Sequence, residues 1–523
     1  MKTIKSNTYA RLCDHVREIA LVQSIESLLE WDERTGMPPA AGPYRAEQMS
    51  HLAGRVHQLW TDPRMAEWLA ELADSPLVAD HDSDAAVTLR ELRRLYDKKV
   101  RLPQKLVEEL TRAAVLGQQA WAVARRANDF EGFRPLLERI VALKREEAAA
   151  FGFTDSPYDP LLDEYEPGAK TAEVSRVLAA LADELVPLLT AIVNATPRAK
   201  GAGESTRKTS AAVRAGGDSA LDGDFPLDVQ ATFARLVAEQ VGFDFNAGRI
   251  DVSAHPFCTQ LGPHDHRLTT RYSQRDMTDA IFSILHEVGH GLYQQGLPPE
   301  HFGLPLGEAI SLGIHESQSR LWENLVGRSR AYWEWLFSQA QHSFPQALTD
   351  TTLDEFYRLI NQVRPSLVRI EADEVTYNLH ILVRFELEQE LLTGDLEVAD
   401  LPDAWHDRYH HYLGVTPQNH AEGVLQDIHW SAGAIGYFPT YSLGNLYAAQ
   451  FFEQAEADLG SLDEQFRRGQ FAPLREWLVE QIHRHGRRYS AADLVERVTG
   501  RPLSHEPLMR HFRRKFGPLY GMN

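Results

Sequence analysis

Two histidines and a glutamate occur at a spacing suited to binding a metal ion and using it for hydrolysis. They are His286, Glu287 and His290, in the pattern His-Glu-x-x-His. On an α-helix, residues four apart share a face, so both imidazoles can converge on one ion while Glu287 lies beside it. Glu316, 26 residues after His290, leaves room for a turn and a second helix that supplies a third ligand. The pattern predicts a zinc hydrolase site with the fourth position open for water.

The same five letters also arise by chance in a chain with 22 histidines. A helical stripe of apolar residues runs through the motif, at positions 277, 281, 284, 285, 288 and 292. If His286 and His290 were ordinary core residues, each would need a hydrogen-bond partner, and Glu287 would carry a desolvation cost. A metal ion satisfies all three groups, so we favour the metal site.

Composition narrows the class of protein. The chain has 54 Lys and Arg against 74 Asp and Glu, a formal net charge of -20, which argues against a nucleic-acid partner. Cys13 and Cys258 are too few and too isolated for a disulfide framework. The N-terminus lacks the apolar core of a signal peptide, and no apolar run approaches ~18 residues, so we expect no membrane span and a cytoplasmic location.

The elements that must position these residues read as one long series of helices, and we predict a single α-helical domain over 1–523. Amphipathic patterns predict helices, besides the metal helix, at 8–31, 83–100, 103–126, 131–151, 170–194, 226–241, 308–326, 352–363, 371–393, 401–413 and 443–458. Two segments, 249–253 and 267–272, alternate in the strand period around a loop, which predicts a small antiparallel ribbon.

One segment, 196–223, breaks the helical pattern. It is rich in Ala, Gly, Ser and Thr and has almost no large apolar residue, so it cannot bury enough surface to offset the entropy of ordering. We predict a flexible inserted loop. Its excess of basic residues indicates either an acidic partner or a solvated linker, and we favour the linker.

Further motifs make the sequence resemble the carboxypeptidase Taq family of zinc metallocarboxypeptidases. Beside the metal motif and His315-Glu316-Ser317, these are Asp265-x-Arg267-x-Thr269, Arg369-x-x-Ala372-Asp373 and Gly423-x-x-Gln426-Asp427-x-His429-Trp430. The likeness extends to Trp31-Asp32 near the start, to Tyr158-Asp159-Pro160 in the middle and to Gly436-Tyr437-Phe438-Pro439 beyond the motif. Two departures are the 196–223 segment and Val368 in place of an isoleucine.

The resemblance implies removal of single amino acids from peptide C-termini, in a mainly α, clamshell-shaped fold with a deep substrate groove. It also implies one Zn²⁺ per chain, with Co²⁺ as a substitute, and a homodimer. His286, His290 and Glu316 would hold the ion, which lowers the pKa of a bound water. Glu287 would take the proton of that water and pass it to the leaving amine.

An exopeptidase must recognise a free carboxylate at a fixed distance from the metal, and a guanidinium suits that task. Arg369 is our first choice, with an ordinary helix ion pair to neighbouring acids as the alternative. Arg267 is the second choice. It is slightly favoured for a structural role instead, tying the ribbon to the helical body through Asp265.

The tetrahedral intermediate needs a donor opposite the metal, and His429, Tyr437 and Tyr441 are the candidates, unless these rings only pack. His315 is adjacent to a ligand and either contacts substrate or caps the site. Two carboxylates, Asp427 and Glu308, are guesses for the groups that orient the ligand histidines.

Two other functions remain open. A metallo-oligopeptidase or endopeptidase would use the same chemistry on internal bonds, in an open groove without an arginine on the far side of the metal. A non-catalytic protein with a structural metal would use four protein ligands and would have no need of Glu287. We therefore expect an enzyme that acts on peptides.

Overall fold

The computed structural model describes residues 2–195, 221 and 223–522, which form a mainly α-helical protein with one small sheet. The predicted fold class is confirmed. The predicted loop, 196–223, lies outside the described residues except for positions 221 and 223.

The helices fall into two groups along the chain, on either side of the sheet. Those before the sheet are α1 (Lys2–Thr35), α2 (Gly42–Trp60), α3 (Pro63–Leu72), α4 (Asp84–Arg101), α5 (Gln104–Ala127), α6 (Phe130–Phe151), α7 (Asp159–Leu162), α8 (Thr171–Ala195) and α9 (Leu227–Val241). Those after it are α10 (Thr278–Gly296), α11 (Leu312–Arg320), α12 (Arg330–Ser343), α13 (Pro345–Leu348), α14 (Leu353–Ile360), α15 (Tyr377–Thr393), α16 (Leu401–Leu413), α17 (Pro439–Leu459), α18 (Leu462–Phe466), α19 (Ala472–Gln481), α20 (Ala491–Thr499) and α21 (Glu506–Tyr520).

All eleven predicted helices are found, but two begin more than one residue later than predicted. The helix predicted from 308 begins at Leu312, because the Ser311 hydroxyl accepts a hydrogen bond from the Ile314 N–H and caps it. The helix predicted from 371 begins at Tyr377, after a segment in which the Asp373 carboxylate binds successive backbone N–H groups. A capping serine therefore sets the first start, and a turn built on Asp373 precedes the second.

The sheet has three strands, β1 (Gly248–Val252), β2 (Cys258–Gly262) and β3 (Asp265–Thr270), with β3 in the middle. The prediction that the first and last segments form an antiparallel ribbon was wrong: β1 pairs with β3 in parallel. The segment predicted as a loop contains β2, which pairs antiparallel with β3. The chain reverses direction both before and after β2, so β3 runs in the same direction as β1.

A large apolar cluster joins α5 through α21 and contains the sheet residue Leu268. The central helices α10, α11 and α17 pack against one another within it. A second, smaller cluster joins α1, α3 and α4. Beyond Ile19, α1 buries no side chain, and α2 buries only Leu59, so these two helices pack mainly on each other.

One described helix, α8, is long and apolar enough to cross a membrane by length and composition, with a mean hydropathy of 1.7 in its most apolar window. Its buried residues recur at helical spacing, at Val174, Leu178, Leu181 and Leu185. These residues belong to the large apolar cluster. The helix is therefore packed as a core helix of this fold.

Candidate metal centre

The two motif histidines lie on one face of α10. His286 and His290 are one turn apart, with ring centroids separated by 4.9 Å. The other faces of α10 are held in the core by Ile284, Leu285 and Val288, all fully buried. Burial of these apolar residues fixes the helix, and with it the direction in which both imidazoles point.

Glu316 completes the group from α11. Its Oε2 atom lies 3.6 Å from Nε2 of His286 and 3.5 Å from Nε2 of His290. The three ligand atoms all lie within 4.8 Å of one another. The structure thus brings together the three residues that the sequence predicted as metal ligands.

Two glycines allow this approach. A Cβ atom at Gly289, inside the motif, would overlap the backbone carbonyl oxygen of Gln318 on α11. A Cβ atom at Gly444 on α17 would lie 2.6 Å from Cγ of Glu316. Because neither residue has a side chain, α11 packs closely between α10 and α17.

The remaining ring nitrogens of the histidines have their own partners. Nδ1 of His286 lies 2.9 Å from a carboxylate oxygen of Glu323, and Nδ1 of His290 lies 3.1 Å from the backbone carbonyl oxygen of His315. Both partners are acceptors, so each Nδ1 carries the proton and each Nε2 presents a lone pair. Two imidazole nitrogens and one carboxylate oxygen converging in this way fit a divalent ion such as Zn²⁺.

Burial and neighbouring charges act differently on the two histidines. Burial lowers the pKa of His290 well below its usual value, and the nearby His315 and His286 add to this effect. Burial also opposes protonation of His286, but the charges of Glu316 and Glu323 outweigh it and raise the pKa of that ring. Negative charge therefore dominates the surroundings of His286, whereas burial dominates those of His290.

Glu287 is buried beside the ligands, with 5% of its surface exposed. Burial raises the pKa of its carboxyl to about 7, and the charge of Glu316 contributes to the same shift. No hydrogen-bond partner for this carboxyl is found within the part of the chain that the structure describes. A carboxyl with this pKa can both accept and donate a proton near neutral pH.

The guanidinium of Arg369 lies in a buried ion network and is 5% exposed. Its Nε and Nη2 atoms donate to one oxygen of Asp427, at 3.0 and 2.8 Å, and its Nη1 donates to the Tyr377 hydroxyl. Arg384 donates to the other oxygen of Asp427, at 2.7 Å. Arg369 thus pairs with an acid 58 residues away and not with the acids of its own segment. Two of its five N–H groups have no hydrogen-bond partner among the residues that the structure describes.

Aromatic side chains connect this network to the metal ligands. The guanidinium of Arg369 lies 5.1 Å from the ring centre of Tyr441, which is 5.4 Å from the ring of Tyr437. Burial raises the pKa of both tyrosines, and the charge of Glu316 contributes to the shift. The Tyr441 hydroxyl lies 3.4 Å from Nε2 of His429, whose pKa burial lowers to about 4. The three predicted oxyanion candidates are therefore neighbours.

Arg267 lies on β3 and pairs with Asp265 on the same strand, at 2.9 and 3.1 Å. Its guanidinium stacks over Trp31 of α1, 4.4 Å from the ring centre. Arg267 therefore contacts the helical body through Trp31 and not through Asp265. Arg267 thus has the kind of structural contact that the sequence suggested, but its partner is Trp31.

The ring of His315 stacks on the ligand His290, with centroids 4.3 Å apart and planes inclined by 21°. Its Nε2 lies 3.4 Å from Nε2 of Gln294 on α10. Burial lowers the pKa of His315 to about 4, so the stacked ring is neutral. His315 holds His290 in two ways, through its ring and through its backbone carbonyl.

Sequence reasoning missed the carboxylate that orients His286. The guesses were Asp427, which binds Arg369 and Arg384, and Glu308, which pairs with Arg487 at 2.8 Å. The contact is made by Glu323, seven residues after Glu316, a spacing that in a regular α-helix keeps two side chains on one face.

A buried helical site with two imidazoles, one carboxylate and a neighbouring glutamate of raised pKa defines this protein as a metal-dependent hydrolase of the His-Glu-x-x-His type. Comparison with known proteins identifies the enzyme more closely. The family model described as carboxypeptidase Taq (M32) metallopeptidase matches residues 11–516. The chain belongs to this family and is a metallocarboxypeptidase.

Individual relatives cover nearly the whole chain. Thermostable carboxypeptidase 1 of Thermus thermophilus is 45% identical over 522 residues, covering 98% of this chain and 99% of that protein. Carboxypeptidase 1 of Bacillus subtilis is 34% identical over 507 residues, covering 97% of each. The crystal structure of the M32 carboxypeptidase from Deinococcus radiodurans R1 has a TM-score of 0.91 and 40% identity, covering 99% of this chain and 100% of that one. These relatives favour a carboxypeptidase over the endopeptidase alternative.

Proposed function

We propose that His286, His290 and Glu316 hold one Zn²⁺ per chain, with Co²⁺ as a substitute ion, for release of single C-terminal residues from peptides. The observation that carries this proposal is the convergence of two Nε2 atoms on Glu316 while both Nδ1 atoms are anchored. When bound, the ion lowers the pKa of a coordinated water and polarises the scissile carbonyl.

Glu287 acts as the general base. Its pKa of about 7 and its position on α10 next to His286 support transfer of a proton from the attacking water to the leaving amine. Because it is not one of the converging ligands, its carboxyl stays available for proton transfer.

Arg369 binds the terminal carboxylate of the peptide. Its two remaining N–H groups, its fixed position against Asp427 and its link through Tyr441 toward Glu316 support this role. Arg267, which lies earlier in the chain on β3 and stacks on Trp31, is the second candidate arginine for substrate. Tyr437, whose ring lies 5.4 Å from that of Tyr441, and His315, which stacks on His290, are the other residues that would contact substrate.

His429 and Tyr441 stabilise the oxyanion of the tetrahedral intermediate. Burial keeps His429 neutral and Tyr441 protonated, so the Tyr441 hydroxyl can donate to a developing negative charge. We further propose a cytoplasmic homodimer of single-domain chains in which 196–223 is an insertion. The two free cysteines agree with a reducing compartment.

The terminal-carboxylate role is tested with paired peptides that differ only in C-terminal amidation. Amidation removes a charge-assisted contact to the two remaining N–H groups of Arg369, a loss on the order of 2–5 kcal/mol, so kcat/KM should fall about thirtyfold or more. Arg369→Ala should reduce cleavage of the free acid steeply and change the slow amide reaction little, because an absent contact cannot be lost twice.

Arg267→Ala serves as the comparison variant in the same assay. A selective loss on the free acid would assign Arg267 to the terminal carboxylate as well, and a similar, smaller loss on both peptides would assign it to its structural contact with Trp31. Equal kcat/KM for acid and amide in the parent enzyme would contradict terminal-carboxylate recognition. A similar fractional loss on both peptides for Arg369→Ala would make that arginine structural.

A further inference from the structure

A π-helical segment, Leu321–Gly327, directly continues α11. A π-helix has a wider turn than an α-helix, occurs mostly as a short stretch within an α-helix and is frequent at functional sites. This segment begins five residues after the ligand Glu316 and carries Glu323. Both residues therefore reach the metal centre from one continuous helical stretch with a change of pitch between them.

Glu323 contacts the centre through His286. One carboxylate oxygen, Oε2, accepts from Nδ1 of His286 at 2.9 Å and from Nη1 of Arg320 at 3.2 Å. The other, Oε1, lies 3.7 Å from the guanidinium of Arg328. The side chain is 13% exposed, so the contact is shielded from bulk water.

Arg320 links the two carboxylates of this helix. Its Nε donates to Oε1 of Glu316 at 2.7 Å, while its Nη1 donates to Glu323. Its guanidinium also lies 4.4 Å from the ring centre of Tyr377. Because Arg320 holds Oε1 of Glu316, the Oε2 atom is the one directed at His286 and His290.

We propose that Glu323 is the positioning residue of the metal centre, acting on the ion through His286 and held in place by Arg320. The inference rests on the proposed ligand set His286, His290 and Glu316. A carboxylate on Nδ1 fixes the tautomer and ring orientation of a ligand histidine and makes Nε2 a stronger donor to the metal. Without it, the His286 ring keeps its place on α10 but loses the partner that fixes its rotation.

The test measures metal affinity rather than activity. Metal-free parent, Glu323→Ala and Glu323→Gln proteins are titrated with Zn²⁺ in competition with a chromophoric chelator. Loss of such an orienting carboxylate weakens metal binding 10- to 100-fold, so we expect this for Glu323→Ala. A smaller loss is expected for Glu323→Gln, whose amide oxygen still accepts from Nδ1 but carries no charge. The visible spectrum of the Co²⁺ form should also change in both variants.

Glu184→Gln is the matched control, because Glu184 makes the same kind of contact to His505, also at 2.9 Å, far along the chain from the ligands. It should leave Zn²⁺ affinity unchanged. Thermal melting of the metal-free variants shows whether each is folded. If Glu323→Ala is unfolded, the Zn²⁺ affinity of Glu323→Gln tests the proposal.

Unchanged Zn²⁺ affinity and an unchanged Co²⁺ spectrum in a folded Glu323 variant would overturn the inference. Failure of the proposed ligand set would give a different result from failure of this inference. In that case the parent protein binds Zn²⁺ no more tightly than a His286→Ala variant, whatever the behaviour of the Glu323 variants.

Discussion

Glu287 and His286 are adjacent on α10, yet their proposed roles differ, and one substitution separates them. Glu287→Gln should abolish most peptide hydrolysis, by a factor on the order of 100 or more, because the amide cannot carry a proton. Bound metal should stay near one ion per chain, since this side chain is not among the three converging ligands. Metal analysis and kcat/KM on the same preparation check both expectations.

His286→Ala is the control for that experiment and should lose metal and activity together. The assigned role of Glu287 would be wrong if Glu287→Gln lost metal as completely as His286→Ala. Substantial turnover by the glutamine variant would contradict it equally.

Spacing along one helix predicted the residues of the metal centre that lie close in sequence. His286, Glu287 and His290 are within one turn of α10, so helical geometry alone places them together. Partners from distant segments could not be predicted. The pairing of Arg369 with Asp427 depends on how the segment before α15 packs against the loop before α17, which no local pattern determines.

At the scale of elements, Gly289 sets the distance between α10 and α11. Gly289→Ala places a methyl group against the Gln318 carbonyl, an overlap that costs about 1–3 kcal/mol and moves Glu316 away from the histidines. We expect a lower melting temperature and weaker Zn²⁺ binding. Differential scanning calorimetry and chelator competition measure the two effects.

Gly54→Ala provides the control, because a Cβ at Gly54 in α2 meets no atom within 4 Å. The gain in helix propensity there, on the order of 1 kcal/mol, should leave stability unchanged or slightly raised, with normal Zn²⁺ affinity. Equal behaviour of the two alanine variants would show that the packing of α10 on α11 is not tight at residue 289.

A buried ion cluster ties α21 to the segment before α15. Glu374 accepts from His511 at 2.7 Å and from Lys515, both on α21. Burial alone would raise the pKa of Glu374, but the charges of Lys515 and His511 outweigh it and lower the pKa to about 2. A depressed folded-state pKa stabilises the protein above the unfolded value near 4.5, and this contribution is lost as pH falls toward 2.

The measurable consequence is the decrease of the melting temperature at acid pH, which we call the acid limb. Ionised Glu374 stabilises the folded protein at neutral pH, so the melting temperature should fall as pH decreases from about 4.5 to 2. Glu374→Gln should be less stable than the parent at pH 7 and should show a shallower fall across that window. Parallel profiles for parent and variant would indicate that other carboxylates govern the acid limb.

Helices were predictable as elements because their apolar residues recur every three to four positions over long stretches. The sheet was only partly predictable. Strand β2 (Cys258–Gly262) is short and has only Leu261 buried, so it lacks the alternation that identifies a strand. Missing it made β1 and β3 look like neighbours in a hairpin, and their direction was therefore predicted wrongly.

For the whole molecule, the proposed homodimer predicts a mass about twice the 59.1 kDa of one chain. Multi-angle light scattering at micromolar concentration and ~0.15 M salt measures it. Salt is needed because two chains of net charge -20 repel at low ionic strength. A mass near that of one chain under these conditions would contradict the dimer.

Few buried side chains hold α2 and the part of α1 beyond Ile19, and this affects how easily the two helices open. With only Leu59 of α2 buried, this helical pair can open at a free energy well below that of global unfolding. Its amide protons should then exchange with solvent long before those of α10, whose exchange requires loss of the core. Trp31, which covers Arg267, lies in this helical pair, so we expect the wall of the molecule beside β3 to fluctuate more than the helix that carries His286 and His290.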